Sequence, residues 1–296
     1  MSRVSIDDKN LFNQGDILPV THHHQKHVHH NSHKFRMFGL YQLRYKYRHY
    51  LSEFFGCVVM IFFGVCSVST FSFYEQLMSE YWLIVALSWG AAITMALYVS
   101  LGNSGGHLNP AVTISMAVFG RFEWKKVPGY IISQLFGCIV GAALSFSVYI
   151  EKYNAFDGGV RQTVGPKATA YIFASYPDAN NSNMNGFYQE FLVSCVLLFV
   201  LQGIFDHKMA PAKTFEPIIV GMLVFVITAT TAVVGSSNMN PARDLGPRIF
   251  TAIAGWGSEP FTVANHYFWV PVVAPIIGGI VGTGLYELFV IPNNDE

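Results

Sequence analysis

The sequence is poor in charged residues, and this scarcity narrows the class of protein. Asp, Glu, Lys and Arg together make up 12% of the 296 residues, while hydrophobic residues make up 52%. Soluble globular domains carry about 25% charged residues. The composition therefore argues against an ordinary soluble domain and indicates a protein that lies in lipid.

Cysteines and catalytic motifs are also scarce. The four cysteines, Cys57, Cys66, Cys138 and Cys195, all fall in apolar runs without disulfide or metal-site spacing, and we interpret them as small apolar fillers. The apolar runs hold no Ser/His pair, metal-spaced cluster or phosphate-binding loop. This disfavours an intramembrane enzyme that would use His107 or the N-terminal histidines, and we expect no metal site in the apolar runs.

Several apolar runs are long enough to cross a membrane. A helix of about 20 apolar residues spans the hydrocarbon core, which is about 30 Å thick. The polar first 49 residues show no cleavable signal peptide. We predict an all-α membrane protein with six transmembrane helices, at Tyr50–Tyr74, Tyr81–Ser100, Val127–Ile150, Phe187–Phe205, Pro217–Val234 and Tyr267–Ile291.

Basic residues are unevenly distributed around these helices. Eight of the eighteen Lys and Arg residues precede the first helix, and five more lie in the second-to-third and fourth-to-fifth connections. The first-to-second connection carries Glu75 and Glu80 but no basic residue. Because basic loops stay on the cytoplasmic side, both termini are predicted to be cytoplasmic.

The two ends of the chain are predicted to be tails. Residues 1–49 include the stretch THHHQKHVHHNSH, which holds seven of the eleven histidines, and we predict a disordered tail there and a short one over residues 292–296. Clustered imidazoles leave metal binding and pH sensing open as further roles. The long tail and a glycosylation sequon at Asn180 favour a eukaryotic plasma membrane.

The membrane domain, residues 50–291, contains an internal repeat. Glu53 and Glu190 each precede Phe near the start of a helix, and GCIVGAAL (137–144) matches GGIVGTGL (278–285). The repeats cover about 50–150 and 186–291, and each holds three helices. The second copy must therefore insert upside down, an inverted arrangement in which sites lie near the midplane between the repeats.

Two polar stretches share an Asn-Pro-Ala core, GNSGGHLNPAVT (102–113) and GSSNMNPARDLGPR (235–248). The residues from Pro110 to Gly120 make about 16 Å of helix, half a membrane, and PARDLGPRIFTAI after Asn240 is similar in length. Non-helical backbone at that depth is tolerated only where it is buried in protein or lines a cavity. We therefore predict two re-entrant half-helices that meet near the centre of the membrane.

Each asparagine is predicted to cap its half-helix. Proline is favoured at the first helical position, and the preceding asparagine accepts a hydrogen bond from a first-turn N–H. The side-chain NH₂ groups of Asn109 and Asn240 are then expected to be free to donate to a solute, at the positive ends of two helix dipoles. Such a passage suits neutral, oxygen-bearing solutes and repels cations, including hydrated protons.

The stretches SGGHLNPAVT and NMNPARDLGPR, with six helices and the repeat, resemble the major intrinsic proteins, the family of aquaporins and glycerol facilitators. The resemblance covers about Tyr50–Ile291. It implies a passive channel for water and small neutral solutes, assembled in membrane lipid as a homotetramer with one pore per subunit and without a cofactor or nucleic-acid partner. It also implies a pore motif formed by Asn109, Pro110, Ala111, Asn240, Pro241 and Ala242.

The family's narrowest constriction corresponds here to Trp89, Thr228, Ser237 and Arg243. Strict water channels have Phe and His at the first two positions, so Trp89 and Thr228 resemble the glycerol-facilitator branch, as in a fungal-type member. An indole face supports the carbon side of a polyol, while the arginine donates to its hydroxyls. Ser237 departs from the branch, which has Phe there, and we expect a wider opening that also admits larger polyols, urea or peroxide.

Other residues have supporting roles. Asp244, followed by Arg248, and Pro271–Val272 also match the glycerol branch. We expect Glu53 and Glu190 to brace the re-entrant loops by accepting backbone N–H groups, with a proton relay as the alternative. His107 is expected to form a hydrogen bond within its loop, with direct solute contact as the alternative. Close helix contact is predicted for the small-xxx-small glycines Gly137, Gly141, Gly278 and Gly282.

Two other functions share these features. A water-selective pore would keep the same fold, and Trp89, Thr228 and Asp244 disfavour it. An alternating-access carrier also uses inverted repeats and broken helices. The two mechanisms differ kinetically, because carrier flux saturates and shows counter-flow.

Overall fold

The computed structural model describes residues 40–74, 78–178, 180–206, 214–231 and 237–291. The histidine-rich stretch and residues 292–296 lie outside the described residues. Contacts divide the chain into one unit over residues 1–48 and another over residues 49–296. In the first unit, the described residues are helical, and the guanidinium of Arg48 lies 4.3 Å from the ring centroid of Tyr45.

The described residues form nine α-helices, and five stretches among them are long and apolar enough to cross a membrane. These five contain α1, α2, α4, α5 and α9, and α6 is a shorter apolar helix of 16 residues. The prediction of an all-α membrane protein is therefore confirmed. The helices are α1 (Leu40–Phe73), α2 (Met78–Ser104), α3 (Pro110–Val118), α4 (Val127–Asp157), α5 (Asn183–Phe205), α6 (Glu216–Thr231), α7 (Pro241–Thr251), α8 (Glu259–His266) and α9 (Val270–Phe289).

Some helices extend beyond the apolar runs that predicted them. The first begins at Leu40, so residues 40–49 of the predicted tail are helical. The helix α4 continues past Ile150 to Asp157, and Gly158 then ends it with a positive φ of 70°. Hydropathy predicts only the part that lies in lipid, whereas the helix ends where a residue favours the left-handed conformation. The predicted fifth span corresponds to α6, and residues 232–234 lie outside the described residues.

Glycines allow the long helices to approach closely, as their spacing predicted. A Cβ on Gly137 of α4 would lie 2.4 Å from the carbonyl oxygen of Phe54 in α1. In the second repeat, a Cβ on Gly278 of α9 would lie 2.1 Å from the carbonyl oxygen of Phe191 in α5. The glycine four residues further along each helix makes the same kind of approach. Equivalent glycines thus bring equivalent helices together in the two repeats.

The half-helices α3 and α7 hold the repeats together. The first has nine residues and ends at Val118, two residues short of the predicted end, and the second has eleven. The helix α3 packs against α9 of the second repeat, and α7 packs against α4 of the first. The long helices α2 and α6 also contact each other. Each repeat therefore supplies part of the other's core.

Candidate pore and constriction

The two asparagines cap the half-helices, as their sequence predicts. The side-chain oxygen of Asn109 accepts from the backbone N–H of Ala111 at 2.8 Å. The oxygen of Asn240 accepts from the N–H groups of Ala242 at 3.0 Å and Arg243 at 3.2 Å. Both asparagines have extended backbones, and a proline starts each helix. The motif therefore begins a helix at each site, with the helix N-termini facing each other.

The prediction that both side-chain NH₂ groups are free is wrong for one hydrogen of each. The amide nitrogen of Asn109 donates to the carbonyl oxygen of Met239 at 2.8 Å, and that of Asn240 donates to the carbonyl oxygen of Leu108 at 2.8 Å. These reciprocal bonds join the two loops. An amide NH₂ carries two hydrogens, so one N–H of each asparagine is left to face the passage.

The residue before each asparagine has an uncommon backbone conformation. Leu108 has a φ of 52° and Met239 a φ of 55°, both in the left-handed region that non-glycine residues rarely adopt. Each of these residues supplies the carbonyl oxygen that accepts from the opposite asparagine. The strain is thus located at the two contacts that join the half-helices.

Glu53 holds the first loop in place. One carboxylate oxygen accepts from the N–H of His107 at 3.0 Å and from the hydroxyl of Ser104 at 2.6 Å. The other accepts from the N–H of Leu108 at 2.7 Å and from the amide of Gln134 at 2.8 Å. Glu53 is fully buried, and these four donors satisfy it. Glu53 therefore holds the backbone of the first loop in place.

Glu190 makes the equivalent contacts in the second loop. Its two carboxylate oxygens accept from the N–H groups of Asn238 and Met239, each at 2.9 Å. Glu190 is also fully buried. The geometry thus agrees with the predicted bracing role for both glutamates.

The position of His107 is compatible with both of its predicted roles. Its Nδ1 lies 3.1 Å from the hydroxyl of Thr113, and its ring packs against the rings of Phe122 and Tyr130. It also lies along the wall of the central cavity. The hydrogen bond to Thr113 is the structural contact that the sequence analysis favoured.

A cavity of about 1060 Å³ passes the two asparagines. At one end, which we call the Arg121 end, Arg121, Asp206 and Tyr286 line it. At the other, the Arg243 end, it is lined by Arg243 and Tyr176, among others. Between these ends most of the lining is apolar, with the asparagines as polar groups at the centre.

The structure brings the four predicted constriction residues together at the Arg243 end. Trp89, Thr228, Ser237 and Arg243 all line the cavity. The guanidinium of Arg243 lies 4.3 Å from the ring centroid of Trp89, and its Nη1 donates to the carbonyl oxygen of Phe173 at 3.3 Å. The indole and the carbonyl fix the direction of the remaining guanidinium donors.

Sequence reasoning missed Gly64, which makes room for Trp89. A Cβ on Gly64 would lie 2.3 Å from the indole ring of Trp89, closer than any packed carbon can approach. Its contact partner lies 25 residues away in the next helix, so no local pattern indicated the role. The carbonyl of Phe173 was missed for the same reason.

Ser237 is paired with a residue that the sequence analysis did not single out. Its hydroxyl oxygen lies 2.6 Å from the hydroxyl oxygen of Thr231, the last residue of α6. The backbone carbonyl of Thr231 accepts from the side-chain amide of Gln189 at 2.7 Å. Ser237 is thus linked through Thr231 to α6 and, through Gln189, to α5.

Asp244 and Arg248 form a buried ion pair behind the constriction. The Nε of Arg248 lies 2.7 Å from a carboxylate oxygen of Asp244, and both side chains are fully buried. The other carboxylate oxygen accepts from the N–H of Ser175, and Arg248 donates to the carbonyl oxygens of Ser175 and Pro260. The pair therefore ties α7 to the segment that follows Phe173, whose carbonyl orients Arg243.

Polar groups also line the Arg121 end. Arg121 donates to the side-chain oxygen of Gln202 and forms an ion pair with Glu287. The hydroxyl of Tyr286 donates to the carboxylate of Asp206 at 3.1 Å. Within the described ranges, no group of three or more His, Cys, Asp or Glu side chains could hold a metal ion.

Comparisons with known proteins agree with this geometry. Residues 41–286 match the family described as major intrinsic protein. The chain is 46% identical over 249 residues to aquaglyceroporin-3 of Trypanosoma brucei brucei, covering 84% of this chain and 81% of that protein. It is 41% identical over 241 residues to aquaporin-9 of Rattus norvegicus, covering 81% of each.

A solved structure shares the fold. The crystal structure of the aquaglyceroporin from Plasmodium falciparum matches with a TM-score of 0.74 and 29% identity, over 83% of this chain and 97% of that one. The fungal-type assignment stays a prediction. The family model matches residues 41–286, and two relatives are more than 40% identical. The chain therefore belongs to the major intrinsic protein family.

Proposed function

We propose that the protein is a passive channel for water and glycerol in a membrane. The observation that carries this proposal is the Arg243 end of the cavity, where Trp89 presents an apolar face and Arg243 presents donors. Glycerol has a carbon side and a hydroxyl side, and these two surfaces match them. Relatives named as aquaglyceroporins support the same solute class.

The constriction favours glycerol conduction over strict water selectivity. Thr228 stands where a histidine would narrow a water channel, and it lines the cavity beside Ser237. Two small hydroxyl-bearing side chains leave a wider opening than aromatic ones. We therefore include larger polyols, urea and peroxide among the expected solutes.

The centre of the passage is proposed to orient solutes and repel cations. Each asparagine keeps one N–H for a solute oxygen, because its other N–H is bonded to the opposite loop. The N-termini of α3 and α7 both face this point, so their positive dipole ends repel hydrated protons. Among the described residues, a single cavity is lined by both asparagines and by residues of both ends, which favours a channel over a carrier.

The expected setting is a multi-pass protein with both termini in the cytoplasm, in a plasma membrane. The basic residues before Tyr50 and in the connection that contains Arg121 support this orientation. We also propose a homotetramer surrounded by lipid, with one pore per subunit, as the family resemblance implies. No cofactor, nucleic acid or enzymatic step is part of the proposal.

Stopped-flow measurements on proteoliposomes test the function. We expect the wild-type protein to raise the permeability to water, glycerol and urea above that of empty liposomes, with a low activation energy and no saturation. Arg243→Val is expected to lower the glycerol-to-water permeability ratio about tenfold, since a charge-assisted hydrogen bond contributes about 1.5–3 kcal/mol. Wild-type glycerol permeability equal to that of empty liposomes would disprove the glycerol assignment.

Ser237→Phe tests the width of the opening. We expect it to reduce the permeability to four- and five-carbon polyols more than the permeability to glycerol, because a phenyl ring fills the space beside Arg243. Thr230→Val, on the exposed side of α6, is the control. Unchanged discrimination between glycerol and the larger polyols would show that Ser237 does not set the width.

A further inference from the structure

The hydroxyls of Thr231 and Ser237 allow their hydrogens to be assigned. The Oγ1 of Thr231 lies 2.7 Å from the carbonyl oxygen of Ile227 and 2.6 Å from the Oγ of Ser237. A carbonyl oxygen can only accept, and a hydroxyl has a single hydrogen. The hydrogen of Thr231 therefore goes to Ile227, and the hydrogen between the two hydroxyls comes from Ser237.

This assignment fixes the chemistry of Ser237 toward the cavity. Because its hydrogen is donated to Thr231, only the lone pairs of its oxygen remain for a solute. Arg243, in the same lining, offers only donors, since a guanidinium has no acceptor. The constriction thus presents an acceptor and a set of donors to one solute.

Both members of the hydroxyl pair are held by consecutive residues of α5. Gln189 donates to the carbonyl oxygen of Thr231 at 2.7 Å, and Glu190 accepts from the N–H groups of the two residues that follow Ser237. One rigid helix therefore sets the position of the last residue of α6 and of the loop that carries Ser237. The hydroxyl pair of Thr231 and Ser237 is therefore held in place by α5.

We propose that Thr231 is a positioning residue for selectivity, which makes Ser237 a hydrogen-bond acceptor in the constriction. The proposal rests on the glycerol-channel function given above and refines its solute class. Solutes that both donate and accept and are large enough to contact both residues at once, such as polyols and urea, satisfy Ser237 and Arg243 together, whereas a water molecule does not depend on both. A solute that lacks a donor leaves the oxygen of Ser237 unpaired, at the cost of a desolvated acceptor.

A double-mutant cycle tests this role. The variants are Thr231→Val, Ser237→Ala and the two combined, in proteoliposomes, with glycerol and water permeability as readouts. We expect Thr231→Val to lower glycerol permeability about fivefold and to leave water permeability within about twofold, as for the loss of one neutral hydrogen bond. In the Ser237→Ala background, Thr231→Val should change glycerol permeability no further, because the hydroxyl through which it acts is already gone.

Matched variants separate positioning from folding. Thr230→Val removes a hydroxyl that makes the same kind of bond to the backbone four residues earlier but is exposed, and it should leave both permeabilities unchanged. Thr231→Ser keeps the hydroxyl and should conduct glycerol as the wild type does. Water permeability reports how much inserted, folded channel each variant contains.

The possible outcomes distinguish a failure of this inference from a failure of the proposed function. If the wild type conducts glycerol and the two substitutions lower its permeability independently, Thr231 does not act through Ser237 and this inference alone is overturned. The same holds if Thr231→Val conducts glycerol at the wild-type rate. If the wild type conducts water but not glycerol, the proposed function fails and takes this inference with it.

Discussion

The two half-helices start alike and then differ in chemistry. Each begins with Asn-Pro-Ala, is capped by its asparagine, and is approached by a buried glutamate that accepts from the preceding backbone. The next residue is Val112 in the first and Arg243 in the second. The shared part forms the centre of the passage, and the part that differs forms the constriction.

The following residue extends the contrast. Thr113 of α3 bonds to neighbouring neutral groups, including Gln134 and the backbone of Asn109. Its counterpart Asp244 forms a buried ion pair with Arg248. A repeat can therefore duplicate a scaffold while one copy keeps neutral contacts and the other acquires charge.

The largest effect on stability is expected from removing the charge of Asp244. Asp244→Asn should lower the free energy of unfolding by about 3–5 kcal/mol, because it leaves the buried guanidinium of Arg248 without its charged partner. Thr113→Val should cost about 1 kcal/mol, as for a neutral hydrogen bond. Unfolding of both variants in detergent, followed by circular dichroism, measures the difference. Equal losses would mean that charge and neutral contacts contribute alike.

A smaller effect is expected from the helix contacts, where the second repeat is the tighter one. A Cβ on Gly282 would lie 2.1 Å from the carbonyl oxygen of Cys195, whereas one on its counterpart Gly141 would lie 2.8 Å from that of Val58. Overpacking costs about 1–3 kcal/mol, so Gly282→Ala should destabilise the protein more than Gly141→Ala. Gly102→Ala, with open space around it, is the control. The same unfolding measurement decides the order, and the reverse order would contradict it.

The smallest effect on stability is expected from exposed ion pairs outside the two half-helices. Glu123 pairs with Lys125 and Lys126, and their hydrogen bonds lower its pKa from the ordinary 4.5 to about 2. A lowered pKa gives stability that is present above pH 4.5 and lost as the pH falls toward 2. Because these groups are exposed, water and salt screen the pairs. Unfolding midpoints of wild type and Glu123→Gln should agree between pH 7 and pH 3, and a clear separation above pH 4.5 would contradict this.

The sequence predicted those features whose causes are local or periodic. Asparagine before proline predicted both caps, and the repeat predicted matching roles for Glu53 and Glu190, because each depends on a few neighbouring residues. It did not predict that Asn109 bonds to Met239, that Phe173 orients Arg243 or that Thr231 pairs with Ser237. The first two contacts depend on how segments far apart in the chain meet, and the third joins the last residue of α6 to Ser237, six positions later; hydropathy specifies none of them. The extension of α4 beyond Ile150 was missed because hydropathy reports lipid contact, while helix ends depend on capping.

The reciprocal bonds at the centre also bear on how the chain is assembled during synthesis. Asn109 donates to the carbonyl oxygen of Met239, 130 residues later in the chain, and Leu108 accepts from Asn240, 132 residues later. The first repeat leaves the ribosome before either partner exists, and chains emerge at about 5–20 residues per second. For several seconds the strained turn at Leu108 has no opposing amide to hold it. The first half-helix therefore makes its last hydrogen bonds only when the second arrives, which makes docking of the two repeats the step that completes the pore.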